Sequence, residues 1–281
     1  MNFVDTHCHI HFPDYELDPE QVIKDAQKDG VTQLLCVGCT LLDSKLAIEM
    51  AKRHDNIWAT IGLHPHEGAV YVNDHIALQQ FHELASQPKV VAVGECGLDY
   101  HYMHSSKEDQ KKLLKFQLDL AQEHNLPLIF HIREAPQQNL EARNRGIPPL
   151  IASGFETGQA FDDFWQIFDT YKNIKGVVHS FSANQKELDE VLSRGLYVGV
   201  NGIMTFTKDA MQLKAVKTIP LQKLLLETDA PFLTPVPFRG TICEPKHVKV
   251  TAEFLSNLRG EPLEQLATAT THNARQLFNL T

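Results

Sequence analysis

Phe3-Val4-Asp5-Thr6-His7-Cys8-His9 opens with a short apolar run suited to a strand, Phe3 to Asp5, and closes with two histidines one residue apart. Successive side chains of an extended chain face opposite ways, which sends His7 and His9 to one side and Cys8 to the other. Two imidazoles on one side can share one cation. A His-x-His pair is weak evidence by itself, because 15 histidines in 281 residues produce some pairs by chance. What gives this pair weight is a pattern repeated along the rest of the chain.

Short apolar or β-branched runs return at Gln33 to Val37, Ile57 to Ile61, Val90 to Val93, Leu128 to Phe130, Gly176 to Val178, Tyr197 to Val200 and Leu224 to Leu226. Amphipathic stretches of helical period fill the intervals. Pro19 to Lys28 stops before Gly30, Ser106 to His124 stops before the Asn125-Leu126-Pro127 breaker, and Pro245 to Leu258 stops before Gly260. Strands alternating with helices indicate βα units around a parallel sheet, and eight of them close a TIM (β/α)8 barrel. The expected fold class is thus α/β, as one barrel domain over residues 1–281, since no linker-like stretch or internal repeat divides the chain. One segment breaks the rhythm. Pro136 to Gln159, with Pro136, Gly146, Pro148, Pro149, Gly154 and Gly158, reads as a loop inserted after the fifth strand. Such a loop is expected to be a lid, a binding loop or a disordered insertion on the active-site face.

The chemistry-bearing residues fall at strand ends. His7 and His9 close the first strand, His64 follows the third, Glu95 the fourth, His131 the fifth, His179 the sixth and Asp229 the eighth. Parallel strands of a barrel point the same way, so these ends converge on one mouth, where barrel enzymes carry their active sites. Imidazole nitrogen with carboxylate oxygen suits a divalent ion, and a carboxylate can bridge two. Five histidines and two carboxylates exceed what one tetrahedral ion needs. Two divalent ions sharing Glu95 use them fully, and ion pairs about 3.5 to 4 Å apart recur in phosphatases and nucleases. Magnesium, manganese, zinc, cobalt and nickel remain open as their identity. Such a site activates water as a nucleophile and neutralises phosphodiester oxygens. Asp229 is placed to orient that water and accept its proton, and Arg133, on the strand side of His131, to grip a phosphate.

Other features are assigned to packing or surface. His54, His75, His82, His101, His104, His124, His247 and His272 lack the strand-end position. Cys36 and Cys39 have redox spacing but lack a helix N-terminus to lower a thiol pKa, so core packing is the better reading. Gly38, Gly62, Gly94 and Gly97 are turn glycines and make no dinucleotide fingerprint. A net charge of -9 argues against a protein that coats a polyanion, and less against an enzyme whose cations bring their own charge. The apolar runs are too short to span a bilayer, the N-terminus lacks a targeting leader, and five cysteines without framework spacing fit a reducing compartment. The expectation is a cytoplasmic monomer with no membrane association.

In order along the chain, Asp5-Thr6-His7-Cys8-His9, Gly62-Leu63-His64-Pro65, Gly94-Glu95-Cys96-Gly97-Leu98-Asp99-Tyr100, His131-Ile132-Arg133, His179-Ser180-Phe181 and Glu227-Thr228-Asp229-Ala230-Pro231 resemble the TatD family of metal-dependent hydrolases. Pro235 to Gly240 and Thr270-Thr271-His272-Asn273-Ala274 extend the likeness almost end to end. The resemblance implies a TIM barrel of the metal-dependent hydrolase type and hydrolysis of DNA phosphodiester bonds, typically as a 3′-5′ exodeoxyribonuclease on single-stranded ends. It implies one ion on His7, His9, Glu95 and Asp229, a second on Glu95, His131 and His179, and His64 and Arg239 near substrate. Pro136 to Gln159 departs from the family pattern, where the chain passes almost directly into the helix equivalent to Phe161-Asp162-Asp163-Phe164-Trp165. Two rival readings stand beside the nuclease: a lactonase-like esterase or amidohydrolase on the same barrel, and a relative impaired by the insertion.

Overall fold

Eight parallel strands in sequential order make the sheet of this computed structural model, which describes residues 1–135 and 160–281. The expected insertion, 136–159, lies outside the described residues. The elements run β1 (Phe3–Cys8), α1 (Pro19–Lys28), β2 (Val31–Val37), α2 (Leu41–Arg53), β3 (Ile57–Ile61), α3 (Gly68–Tyr71), α4 (His75–Ala85), β4 (Val90–Asp99), α5 (Lys107–His124) and β5 (Leu128–Arg133). Then follow α6 (Ala160–Phe168), β6 (Gly176–Val178), α7 (Gln185–Ser193), β7 (Tyr197–Val200), α8 (Ala210–Thr218), β8 (Leu224–Leu226), α9 (Val248–Arg259) and α10 (Leu263–Phe278). β8 returns to β1 through backbone hydrogen bonds from Asp229 N to His7 O, 2.8 Å, and from His9 N to Ala230 O, 2.6 Å. The expected TIM (β/α)8 barrel is the observed fold.

Helix boundaries follow their sequence signals. Asp18 caps α1 through its carboxylate on the Glu20 amide, with Pro19 at the first turn. Ser106 caps α5 and Asn125 closes it in the left-handed conformation. Pro245 opens a short 3-10 turn before α9 proper starts at Val248, a small correction to the expected start.

Two layers of apolar side chains form the core. Between barrel and helices, Phe130 meets Phe164 and Phe168 at ring distances of 5.0 and 5.8 Å. Inside the barrel, Val4, Leu35, Trp58, Ala92, Ile129, Val177 and Leu225 cluster with Tyr197, so that every strand contributes. Ala274, Leu277, Phe278 and Leu280 at the end of α10 join the same cluster and plug the barrel at the end opposite the mouth. One end is therefore closed by apolar packing, and polar chemistry is confined to the other.

Three strands extend beyond their expected ends. β1 continues to Cys8, β4 to Asp99 and β5 to Arg133, so several candidate residues are strand residues rather than loop residues. The extension is irregular in two places. Asp5 pairs with Leu34 and Cys8 with Cys36, which sets three steps of β1 against two of β2. Val93 pairs with Leu128 and Cys96 with Phe130, the same mismatch on β4. Each bulge reverses the in-out phase of its strand. Below the bulges Val4 and Ala92 point into the barrel, and above them His7 and Glu95 do so instead of facing the helices. Gly97, at φ 146°, permits the close approach of β5: a Cβ there would lie 1.9 Å from the His131 carbonyl oxygen.

Candidate metal centre

β1 and β8 bring the first group of donors together. His7 Nε2 and His9 Nε2 are 3.1 Å apart. Asp229 Oδ1 lies 3.5 Å from the former and 3.4 Å from the latter, and Glu95 Oε2 lies 3.3 Å from His7 Nε2. His9 Nδ1 sits 2.8 Å from the Val37 carbonyl, which can only accept, so this nitrogen donates and leaves Nε2 with a free lone pair.

β4, β5 and β6 bring the second group. Glu95 Oε1 is 2.7 Å from His131 Nδ1 and 2.7 Å from His179 Nε2, and these two nitrogens are 3.3 Å apart. His131 Nε2 lies 3.0 Å from Asp99 Oδ2. The carboxylate accepts from that nitrogen and turns the Nδ1 lone pair toward Glu95. The two oxygens of Glu95 thus face two different sets of nitrogen donors.

Asp99 carried no role in the sequence reading, and it holds this part of the site. Its Oδ1 accepts from the His101 and Tyr102 amides, both at 2.9 Å, while Oδ2 also faces His66 Nε2 at 3.3 Å. The signal was present as alternation. Glu95, Gly97 and Asp99 share one face of β4, while Cys96, Leu98 and Tyr100 are fully buried on the other. Glu227 is a second buried carboxylate, accepting from the Ser180 amide at 2.5 Å and lying 3.6 Å from His179 Nδ1. Asp5 accepts from the His7 and Thr228 amides and the Thr228 hydroxyl, tying β1 to β8 beneath the site. Burial pushes its carboxyl up to about 8, against these three hydrogen bonds, which favour the charged form.

An open cleft of about 680 Å³ covers the cluster. His9, His64, Glu95, His131, Arg133, His179 and Asp229 line it. His64 accepts the His66 amide at Nδ1, so its Nε2 carries a proton toward Glu95 Oε1, 3.6 Å away. Arg133 reaches the rim, where its guanidinium lies over the Tyr102 ring at 4.7 Å. Arg239 is turned elsewhere: it donates to the Thr234 carbonyl at 2.8 Å and lies 4.0 Å over the Phe206 ring. Cys39 also lines the cleft, 3.7 Å from Glu95 Oε2, whereas Cys36 is buried against Met50, and both are free thiols. Sequence spacing alone could not separate the two. His82 and His124, assigned to surface or packing, sit with Glu123 on α4 and α5, outside the cleft.

Burial disfavours charge on every group here, yet Glu95 and Asp229 stay ionised. Burial raises Glu95, but the charges of His179 and His64 and the hydrogen bonds that His131 and His179 donate when protonated outweigh it and hold the carboxyl well below its usual range. Burial also raises Asp229, and a hydrogen bond from His9 with the charges of His7, His9 and His179 brings it down. His7 is lowered by burial and by His179. His131 is lifted above an ordinary imidazole because hydrogen bonds to Asp99 and Glu95 outweigh its burial.

The donor set fits divalent cations. Nitrogens of His131 and His179 converge on Glu95 Oε1, and those of His7 and His9 converge beside Asp229 and Glu95 Oε2, where each meets the carboxylate through a proton or through a cation. So many acceptors at such distances require positive charge between them, and nitrogen with carboxylate oxygen is the set that zinc, manganese, cobalt and nickel take. Triads within reach of one ion include His7, His9 and Glu95, and His7, His179 and Asp229.

Known proteins share this chain's sequence and architecture. The family model described as TatD related DNase matches residues 4–279. A Bacillus subtilis protein named as the uncharacterized metal-dependent hydrolase YabD is 35% identical over 276 residues, covering 98% of each chain. The 3′-5′ ssDNA/RNA exonuclease TatD of Erwinia tasmaniensis is 33% identical over 269 residues, covering 94% of each. The crystal structure of the TatD homolog YJJV from Escherichia coli superposes with a TM-score of 0.84 at 28% identity, covering 99% of this chain and 98% of that one. Matched across nearly its whole length by sequence and by architecture, the chain belongs to the TatD-related DNase family.

Proposed function

We propose that this protein is a metal-dependent phosphodiesterase that shortens single-stranded DNA from its 3′ end, with His7, His9, Glu95 and Asp229 holding one cation and Glu95, His131 and His179 a second. The observation that carries this reading is the division of Glu95 between two donor groups, Oε2 toward His7 and Oε1 toward His131 and His179. When bound, the cations supply positive charge to phosphodiester oxygens and acidify the attacking water. Asp229, at the junction of β8 and β1, orients that water and takes its proton. His64 offers its Nε2 proton from the cleft wall to a substrate oxygen. Arg133 meets a phosphate at the rim. Arg239, with one N–H on the Thr234 carbonyl and no place among the residues lining the cleft, is left without a substrate role.

The test uses a single-stranded oligodeoxynucleotide labelled at its 5′ end. Metal-loaded protein is expected to produce a ladder shortened from the 3′ end, to lose this activity to a chelator and to recover it with added divalent cation. An intact oligonucleotide beside a working control nuclease overturns the proposal, and cleavage of esters or lactones alone puts the neutral-substrate hydrolase in its place.

Asp99 acts through His131 rather than on substrate. Asp99→Asn is expected to weaken the second cation by about 10- to 100-fold, as loss of an outer carboxylate does at other histidine-ligated centres. Calorimetric titration resolves the two affinities. Equal affinities in variant and parent exclude the positioning role.

A further inference from the structure

Two aromatic rings stand exposed on the rim of the cleft. Tyr102 and Phe232 are 54% and 53% exposed, and both line the cavity above the donor cluster. An exposed apolar side chain is ordinary on a protein surface. These two differ in how they are held. The Tyr102 amide donates to Asp99 Oδ1 at 2.9 Å, and the Phe232 amide donates to the Asp229 carbonyl at 2.8 Å. The backbone that carries each ring is thus tied by one hydrogen bond to an acidic residue of the site. Tyr102 follows β4, whereas Phe232 follows β8, and three strands lie between these in either direction around the eight-stranded barrel. The rings therefore flank the cation-binding cluster from opposite sides.

Their surroundings suit flat, electron-rich partners. The Arg133 guanidinium covers Tyr102 at 4.7 Å, and the His104 ring lies near parallel to it, at 5.9 Å with 25° between planes. Phe232 stands 6.4 Å from the His9 ring. A chain with a net charge of -9 gains little from general attraction to a polyanion. Stacking supplies affinity that does not depend on net charge, because every nucleobase has a π-face.

We infer that Tyr102 and Phe232 are stacking platforms for the nucleobases on either side of the linkage to be cut. The inference rests on the phosphodiesterase reading and adds what that reading lacks, the groups that recognise the substrate as a nucleic acid. Bases in a duplex already have both faces covered by their neighbours, so the platforms select unpaired strands and tolerate any sequence.

Tyr102→Leu and Phe232→Leu remove the rings and keep apolar bulk, while Tyr102→Phe and Phe232→Tyr keep the rings. Each protein is assayed on a single-stranded oligodeoxynucleotide and on an abasic oligomer of equal length, and binding of the dye-labelled strands is read by fluorescence anisotropy. Each leucine variant is expected to raise KM and Kd for the base-bearing strand about 5- to 100-fold, the loss per stacked base, with kcat nearly unchanged. The abasic strand should be bound and cut by all proteins alike, and the aromatic variants should match the parent. A change below twofold on the base-bearing strand overturns the platforms, as does an equal loss on both strands, which marks a structural role. Ring-dependent binding without cleavage upholds the platforms and sinks the phosphodiesterase reading. Absence of binding to both strands sinks both.

Discussion

Glu95→Ala is expected to abolish hydrolysis, lowering turnover by about 10³-fold or more, and to empty both cation sites at once. Among the described residues, no other side chain contributes an oxygen to each donor group. Its Oε1 serves His131 and His179 and its Oε2 serves His7, at 2.7, 2.7 and 3.3 Å. Loss of any single histidine leaves one group intact, whereas loss of Glu95 removes the bridge and the counter-charge that the two groups of imidazoles share. Metal content per chain, measured by mass spectrometry after dialysis, separates this from simple inactivation. Circular dichroism establishes that the barrel has formed. A folded variant that retains two equivalents of metal and turnover within tenfold of the parent would refute the bridging role.

Asp229→Asn carries the second large effect. Asparagine keeps an oxygen at the same place but cannot accept a proton at neutral pH, so kcat should fall about 10²- to 10⁴-fold while KM stays near the parental value. The residue faces both His7 and His9 with one oxygen and lines the cleft. Steady-state kinetics together with metal analysis give the answer. Were kcat reduced only in proportion to lost metal, Asp229 would be a ligand alone, and the proton would have to go elsewhere.

Alternation of short apolar runs with helical periods was enough to predict eight strands and their order, and β3, β6, β7 and β8 match their expected limits. The gathering of His7, His9, Glu95, His131, His179 and Asp229 at one mouth followed from parallel strands sharing one polarity. Asp99 was less legible because Gly94 and Gly97 read as the end of the fourth strand, although β4 continues past both to Asp99. Arg239 illustrates the opposite limit. Its type suits phosphate binding, but a carbonyl 2.8 Å away and the Phe206 ring hold its guanidinium in the loop after β8.

The sequence by itself determined the periodicities, and with them the barrel, the common direction of its strands and the chemical types at their ends. Only the tertiary structure decided which way those ends face. Strict alternation from Val4 would turn His7 toward the helices, and from Ala92 it would turn Glu95 the same way. Bulges opposite β2 and β5 reverse both strands just below the site. A bulge depends on hydrogen bonding with a neighbour distant in sequence, so no local pattern on β1 or β4 encodes it alone.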